Sequence, residues 1–450
     1  MTRINSDNAF NLYLKNFKKH SKPKIGKESE YPLVHLDKIR FGQAVTDTTE
    51  LFKQLFKSLG GNAKYNDNGD IINFKTATPY GDAIIGTDLG YCTLEIGLPP
   101  VNSITDLYCV NQMIMNKIVD VTEALQIGIL GYGIQPLSMP DHSFLANKNR
   151  ANAIDKRYQS NNKLNHGAKD LYLNAISAAE HTHVDITPDI AIDYLNAMNK
   201  ISPYLIGAFA NSNLWNAKSD TYREPRELFW DYIVNLEKDK NRHGIPKNFN
   251  NIKHYFDTLI QFEPITTYRN VNQKQVYYEF NQTASIDEFL TTQQTTVIDT
   301  TDNTLTTLQP ELVDLHLHER FIWYNNRIKS IYGTVESRIA AQQIPEHSLL
   351  PNILTYGLRL NIDGLVQYTE SMPLSNQLRQ SIAQNGLNCD HVKILKHIVS
   401  IAKEGLQQFN EDDQLLDPLL NKDYFSIKET EIFNRYGIKK FIDDYRYKNI

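Results

Sequence analysis

The sequence predicts an α+β fold on three observations. Short stretches in which apolar and polar residues alternate, as in strands, occur at residues 25–34 and 86–100. Stretches with apolar residues three or four positions apart, as in helices, lie between and after them. The 450-residue chain is 41% hydrophobic and 10% aromatic, so it can bury a large core.

The predicted elements follow in order along the chain. A short amphipathic helix and a basic tether occupy residues 1–24, and Pro23 ends the helix. A turn is expected at residues 66–70. Strands are predicted at residues 25–34, 86–100, 128–140 (a strand and loop), 175–187 and 331–345. Helices are predicted at residues 48–59, 103–127, 147–159, 188–210 and 224–238, and residues 346–421 are mostly helical.

A length of 450 residues allows up to about three domains. The chain has no strong linker, internal repeat or heptad series, so we expect one large domain over residues 25–421. Residues 284–310 are rich in Thr and Gln and poor in aliphatic residues, which indicates a surface excursion within this domain. Residues 422–450 form a charged tail with aromatic residues.

Composition argues against several classes of partner. The 47 Lys and Arg residues and 52 Asp and Glu residues give a net charge of -5, so no global positive field attracts nucleic acid or anionic lipid. Three cysteines without a CxxC pair argue against a disulfide framework or a zinc ribbon. No signal-peptide core or membrane-length apolar run occurs. We therefore expect a soluble, cytoplasmic protein.

The first candidate site residues are carboxylates on predicted strands. Glu28 and Glu30 are two positions apart, so they share one face of the first strand. A buried face tolerates such a pair only beneath a cation, although a solvated face is an equally simple interpretation. Asp88 and Glu95 are seven positions apart and reach one site only if a bulge or a strand start near Gly90 intervenes. Asp88 alone could simply cap a turn.

Two later strands repeat this pattern. His181, His183 and Asp185 alternate onto one face, either as ligands or as a hydrogen-bonded structural pair. Glu336 and Arg338 form a second such pair, which could also be an ordinary cross-strand ion pair. Carboxylates with one or two imidazoles suit Mg²⁺ or Mn²⁺. The sequence has no P-loop, Rossmann, HExxH or GxSxG motif, so the corresponding nucleotide sites and hydrolases are not expected.

Several motifs occur in the order seen in one known family. They are G-x-E-x-E at residues 26–30, T-D-(x)₆-E-(x)₃-P at 87–99, PLSMP at 136–140, H-V-D-I at 183–186 and E-x-R at 336–338. Residues 201–230 and 312–338 resemble two further segments of that family. Over residues 25–421 the chain resembles the glutamate–cysteine ligases and their carboxylate-amine ligase relatives.

The resemblance implies a glutamine-synthetase-like fold, in which helices surround an antiparallel sheet with an acidic metal-binding face. It also implies ATP-dependent amide formation through an acyl phosphate, with Mg²⁺ or Mn²⁺ bound. The substrates would be glutamate, through its γ-carboxylate, and an amino acid amine such as cysteine, as in glutathione biosynthesis. The partners would therefore be small amino acids and ATP.

The resemblance also implies roles for individual residues. The metal ligands would be Glu28, Glu30, Glu95, His183 and Glu336. The catalytic residues would be Arg338, Arg327 and Asp88, and the substrate-binding residues Arg226, Asp185 and Trp230. The family usually has Asn where this chain has Asp185, so the site gains possible negative charge.

Two alternative functions stay open. One is a phosphotransferase or nucleotidyltransferase on the same fold. The other is a regulatory protein that binds an amino acid or a nucleotide without turnover, although such a sensor has no need of four metal-facing carboxylates.

Overall fold

A computed structural model of the protein describes residues 2–18, 22–66, 68–148, 151–152, 155, 169–219, 222–233, 242–271, 274–281, 284–421 and 429–448. The helices are α1 (Ala9–Tyr13), α2 (Thr49–Leu59), α3 (Ile104–Ala124), α4 (Lys169–Ile176), α5 (Ala191–Ala208), α6 (Pro225–Ile233), α7 (Ile252–Ile260), α8 (Ile286–Thr292), α9 (Leu312–His318), α10 (Leu350–Leu360), α11 (Ile362–Thr369), α12 (Asn376–Asn385), α13 (Cys389–Gln408) and α14 (Glu429–Tyr445). The strands are β1 (Ile25–His35), β2 (Asn62–Tyr65), β3 (Ile71–Thr78), β4 (Gly81–Thr87), β5 (Thr93–Gly97), β6 (Ile127–Ile129), β7 (Ala179–Asp185), β8 (Leu214–Trp215), β9 (Lys218–Ser219), β10 (His243–Gly244), β11 (Thr266–Val271), β12 (Lys274–Phe280), β13 (Thr295–Asp299), β14 (Leu305–Leu308), β15 (Trp323–Tyr324), β16 (Asn326–Lys329) and β17 (Thr334–Ala341).

A nine-stranded sheet lies at the centre of the fold. Its strand order is β16-β17-β7-β1-β5-β4-β3-β2, and β6 pairs with the end of β1. Every pairing in this sheet is antiparallel. The predicted α+β fold with an antiparallel sheet is therefore confirmed.

Helices cover one face of this sheet. In β1, Glu28 and Glu30 point to one side and the buried Tyr31 to the other. Helix α5 reaches the covered side through a hydrogen bond from Asn326 to Asn199, and α10 through one from Asn352 to Thr182. A cavity lies over the other face, which carries Glu28 and Glu30.

The strand predicted over residues 86–100 is two strands, which corrects the prediction. Strand β4 ends at Thr87 and β5 begins at Thr93, and the two pair through a loop. Gly90 allows this turn because a Cβ there would lie 2.0 Å from the carbonyl oxygen of Ala175. Asp88 therefore lies in the loop, and a strand start intervenes before Glu95.

The Thr/Gln-rich residues 284–310 are more regular than a surface excursion suggests. They form α8, β13 and β14, and these two strands join β11 and β12 in a separate four-stranded antiparallel sheet. Most residues of β13 and β14 are not buried, so these strands need few aliphatic residues, which explains the weak aliphatic signal in the sequence.

The C-terminal segment packs on the main body of the fold. Residues Phe441 and Ile442 of α14 are fully buried, and the ring of Tyr132 meets Phe441 edge-on at 5.1 Å. At the other end of the chain, the predicted helix is present as the shorter α1 and a 3₁₀ turn.

Parts of five predicted segments lie outside the described residues. They are most of the helix at 147–159, residues 234–238 of the helix at 224–238, residue 67 of the turn at 66–70, residues 1 and 19–21 of the N-terminal segment, and residues 422–428 and 449–450 of the tail. Within the described part of the chain, no helix combines the length and apolarity that a membrane span requires.

Candidate active site

A cavity of about 1650 Å³ lies over the open face of the main sheet. All the residues that the sequence singled out reach it. They are Glu28, Glu30, Asp88, Glu95, His181, His183, Asp185, Arg226, Trp230, Arg327, Glu336 and Arg338. The structure thus brings residues separated by up to 310 positions into one site.

Strand register explains how these side chains meet. Glu28 lies opposite His181 across β1 and β7, and Glu336 lies opposite His183 across β17 and β7. Glu30 lies opposite Glu95 across β1 and β5. Directly opposed residues of antiparallel strands point to the same face, so these pairs form a continuous polar patch.

A group of three potential metal ligands lies in the middle of this patch. Glu28, His181 and Glu336 each offer one ligand atom, and these atoms lie within 4.8 Å of one another. His181 Nδ1 is 3.9 Å from Glu28 Oε1 and 3.8 Å from Glu336 Oε1. The sequence resemblance pointed to His183 as the imidazole ligand. Its Nε2 lies 3.6 Å from Glu28 Oε2, so His183 borders the group to which His181 belongs.

The donor set fits a hard divalent cation. Burial and the charge of Arg338 lower the pKa of His181 to about 4, so its ring is neutral at pH 7 and keeps a lone pair for a metal. Burial raises the pKa of Glu28, but the imidazoles of His181 and His183 outweigh it and hold this pKa well below its usual range. Two carboxylates and one neutral imidazole are a ligand set that Mg²⁺ or Mn²⁺ accepts.

Glu336 is held between two arginines. Its carboxylate accepts hydrogen bonds from Arg327 Nε at 2.5 Å and Nη2 at 3.2 Å, and from Arg338 Nη1 at 2.5 Å. Burial would raise the pKa of Glu336, but the two guanidinium charges hold it well below the usual range. The carboxylate is therefore ionised, although its side chain is only 1% exposed.

Arg338 lies at an irregularity of β17. The pairing with β7 shifts between Ser337 and Ala340, as in a β-bulge. Its backbone N–H donates to Asn325 instead of to the ladder. The guanidinium then points along the cavity floor, 3.5 Å from His181 Nδ1.

A second acidic group lies beside the first. Asp88 and Glu95 line the cavity next to Glu30, whose Oε2 accepts the Ala179 N–H at 2.8 Å. Burial and the negative charges of Asp88, Glu95 and Glu28 raise the pKa of Glu30 well above its usual range, although Arg338 opposes this. A cation placed here would relieve the repulsion among these carboxylates.

The predicted substrate residues stand at the rim of the patch. Arg226 donates to Glu224 at 3.1 Å and to the Ile339 carbonyl at 2.7 Å. Trp230 packs against Trp323 with ring centroids 5.8 Å apart. The Asp185 carboxylate accepts the Lys24 N–H at 3.0 Å, which ties the start of β1 to the end of β7.

Arg327 is engaged by the protein itself. Besides Glu336, its guanidinium donates to the carbonyl oxygens of Glu319, Arg320 and Ile322. Its geometry suits the orientation of Glu336 better than direct contact with a phosphate.

Sequence reasoning missed a basic group at the β16 edge of the cavity. Lys329 follows Arg327 by two positions, shares its face and is 6% exposed. Its ammonium makes no hydrogen bond or ion pair with the residues that the structure describes, and burial and Arg327 lower its pKa to about 7. Arg320 and Tyr277, a residue of the second sheet, line the same edge. Lys329 and Arg327 are two positions apart on one strand and so share a face. This spacing was the signal in the sequence that could have identified Lys329.

Three solved structures are similar to this chain, and the first of them, with a TM-score above 0.5, supports the fold. A structure of glutamate–cysteine ligase from Francisella tularensis, in complex with AMP, matches with a TM-score of 0.51 and 15% identity over 95% of this chain and 88% of that chain. A bifunctional glutathione synthetase from Pasteurella multocida matches with a TM-score of 0.37 and 13% identity, over 97% of this chain and 52% of that one. The complex between the ubiquitin-like protein Pup and its ligase PafA matches with a TM-score of 0.36 and 11% identity, over 94% and 67% of the two chains.

Comparison of sequences gives the family. No curated protein matches the chain. The model of glutamate-cysteine ligase family 2 matches residues 49–362, which carry all the site residues named above except Glu28 and Glu30. Since this match spans more than half of the 450 residues, the chain belongs to glutamate-cysteine ligase family 2.

Proposed function

We propose that the protein is an ATP-dependent carboxylate–amine ligase that joins the γ-carboxylate of glutamate to an amino acid amine such as cysteine. The observation that carries this proposal is the Glu28, His181 and Glu336 group, flanked by Arg338, on the cavity floor of a member of this family. We also propose that residues 25–421 are the catalytic domain and that the protein works in the cytoplasm.

The metal ligands in this proposal come from four strands. Glu28, His181 or His183, and Glu336 would hold one divalent ion, and Glu30 and Glu95 would hold another, with Asp88 beside them. Bound Mg²⁺ or Mn²⁺ would neutralise charge on the phosphates and let an anionic carboxylate approach them. Ionised Glu336 and neutral His181 support this assignment, because metal ligands must be deprotonated.

The proposed reaction has two steps. A carboxylate oxygen of glutamate attacks the γ-phosphorus of ATP, which gives an acyl phosphate and ADP. The amine nitrogen then attacks the acyl carbon, the amide C–N bond forms, and inorganic phosphate and a proton leave. Arg338 would donate hydrogen bonds to the transferred phosphoryl oxygens, on which charge accumulates. Arg327 would act indirectly, by holding Glu336 in place.

The substrates would occupy the rim of the patch. The buried Arg226 guanidinium would bind a substrate carboxylate, since its fork matches two carboxylate oxygens. Asp185 and Trp230 would contact the amino groups and the apolar part of the substrates. Lys329 and Arg320, at the β16 edge, supply positive charge suited to an anion such as a phosphate.

An ADP-release assay tests the proposal. The protein is incubated with ATP, Mg²⁺ and glutamate, with and without each member of a panel of amines. The amine that raises ADP release identifies the acceptor, and mass spectrometry of the product establishes whether an amide has formed. A phosphorylated or adenylylated product would instead support a transferase.

Two variants complete the test. Glu28→Ala is expected to reduce ADP release at least about a hundredfold, because a lost metal ligand removes phosphate charge neutralisation. Glu346→Gln changes an exposed carboxylate that follows β17 and is the matched control. If no amine raises ADP release and Glu28→Ala equals the wild type, the protein is not a ligase.

A further inference from the structure

The C-terminal helix α14 reaches the residues that lead into α6, the helix whose second residue is Arg226. Resting on the proposed function, we propose that Glu429, the first residue of α14, is a positioning residue. Its carboxylate compensates the charge of Arg223, so that Glu224 pairs with Arg226 and orients it toward the substrate carboxylate. The charged tail thereby gains a role that the sequence did not suggest.

The segment is anchored firmly enough for this role. The Gly131 N–H donates to Tyr445 at 2.7 Å, and the Tyr447 N–H donates to Ile129 at 2.9 Å, which fixes the end of the segment to β6. The rings of Tyr447 and Tyr31 meet edge-on with centroids 5.3 Å apart. The part of α14 that follows the break in its helical backbone at Gly437 is therefore part of the core.

The beginning of α14 contacts two residues that precede α6, Asn213 and Arg223. Glu429 accepts a hydrogen bond from Arg223 Nη1, and Thr430 donates to the side chain of Asn213. Arg223 Nη2 also donates to the Ala210 carbonyl at 3.4 Å. Asn213 and Arg223 are thus both tied to α14.

Four buried charges balance one another at this contact. Arg223 is 9% exposed, Glu224 1%, Arg226 4% and Glu429 2%. Arg223 pairs with Glu429, and Arg226 pairs with Glu224 at 3.1 Å. Two carboxylates therefore compensate two guanidiniums in a region with little water.

Neutralising Glu429 would upset this balance. Arg223 would remain buried without its carboxylate, which is costly. Glu224 follows Arg223 in the chain, and their charges already interact. Burial raises the pKa of Glu224, and the charges of Arg226 and Arg223 both oppose that rise. Arg223 would then compete with Arg226 for Glu224. Arg226 would lose one of the two hydrogen bonds that orient it and keep the other, to the Ile339 carbonyl.

Steady-state kinetics with three variants tests the proposal. Glu429→Gln is expected to raise the KM for glutamate about tenfold, as small misplacements of a binding group do, and to leave the KM for ATP unchanged. Glu431→Gln removes an exposed ion pair with Arg435 on the same helix and is the matched control. Adding Arg223→Gln to Glu429→Gln removes the unmatched cation, so the KM for glutamate should return to within about threefold of wild type.

The double variant separates electrostatic positioning from simple structural support. If Glu429 only supports the fold, the double variant is at least as impaired as Glu429→Gln, and the proposal is wrong. An unchanged KM in Glu429→Gln, with an active wild type, overturns it as well.

A spectroscopic signal gives a readout without catalysis. In protein labelled with ¹⁵N-arginine, the Arg226 Nε–Hε resonance should shift in Glu429→Gln and return in the double variant. If it stays constant, the proposal fails even where the ligase assay has already refuted the proposed function. If it moves and returns while no amine raises ADP release, only the function is wrong.

Discussion

Replacement of Glu336 by glutamine tests both the electrostatics of the site and its role in metal binding. The amide has the shape of the carboxylate but no charge, and its NH₂ group would face the N–H donors of Arg327. Arg338 can turn toward Glu30 and Glu28, whose negative charges already raise its pKa. Arg327 lies within hydrogen-bond reach of no other carboxylate among the described residues.

The magnitude follows from the two hydrogen bonds of Arg327, at 2.5 and 3.2 Å. A hydrogen bond to a charged group contributes about 1.5–3 kcal/mol. Breaking a buried ion pair by removing one partner costs about 3–5 kcal/mol. We therefore expect Glu336→Gln to lower the free energy of unfolding by about 3–5 kcal/mol in the absence of metal.

Urea denaturation in EDTA measures this loss, with Glu346→Gln as the exposed control. A second series contains Mn²⁺ at a hundred times its dissociation constant, which should stabilise the wild type by about 2.7 kcal/mol. Glu336→Gln should lose most of that increment. A metal-free loss below about 1 kcal/mol would refute the ion-pair reasoning. An undiminished Mn²⁺ increment would remove Glu336 from the ligand set.

Three further predictions concern charge and substrate affinity. The pKa of His181 is about 4 in the folded protein and 6.5 ordinarily, so the unfolded chain binds the extra proton between these values. Unfolding free energy should fall as the pH drops from 6.5 to 4, and His181→Gln should reduce that slope by about one proton. Lys329→Met should raise the KM for ATP about tenfold at pH 6 but little at pH 9, because the lysine, with a pKa of about 7, is neutral there. Arg226→Lys should raise the KM for glutamate at least about tenfold and spare the KM for ATP, since lysine loses the bidentate fork.

The sequence predicts which side chains face the cavity where their alternation along a strand decides the outcome. Glu28 and Glu30 face the cavity because alternate residues of a strand share a face, whatever strand lies beside them. The same reasoning placed Glu336 with Arg338, although their joint contact with Arg327 depends on the pairing of β16 with β17. Which face of a strand a residue occupies is a local property, so the sequence of that one strand is enough to predict it.

Register is not local, and there the sequence was insufficient. Both His181 and His183 have the right parity, and only the pairing of β1 with β7 places His181 opposite Glu28. A slip of two residues would exchange them without exposing any apolar side chain. Contacts between residues about 150 positions apart decide this pairing, and the local sequence pattern does not indicate them.

The tail and the second sheet were underestimated for a related reason. Helix α14 has few aliphatic residues, and it packs through Phe441 and Tyr445 on Tyr132, an aromatic contact whose partner is remote in sequence. Strands β13 and β14 are rich in Thr, and they were not recognised as strands because most of their residues are not buried.

The distribution of charge over the sheet explains how a chain of net charge -5 could hold ATP under the proposed function. Acidic side chains occupy the central strands, where cations would reverse their effect. Basic residues line both edges of the cavity, with Lys329 on β16 and Lys64 and Lys75 on β2 and β3. Phosphates centred on the bound metals would meet positive charge on either side, so the local field rather than the net charge decides which ligand the protein accepts.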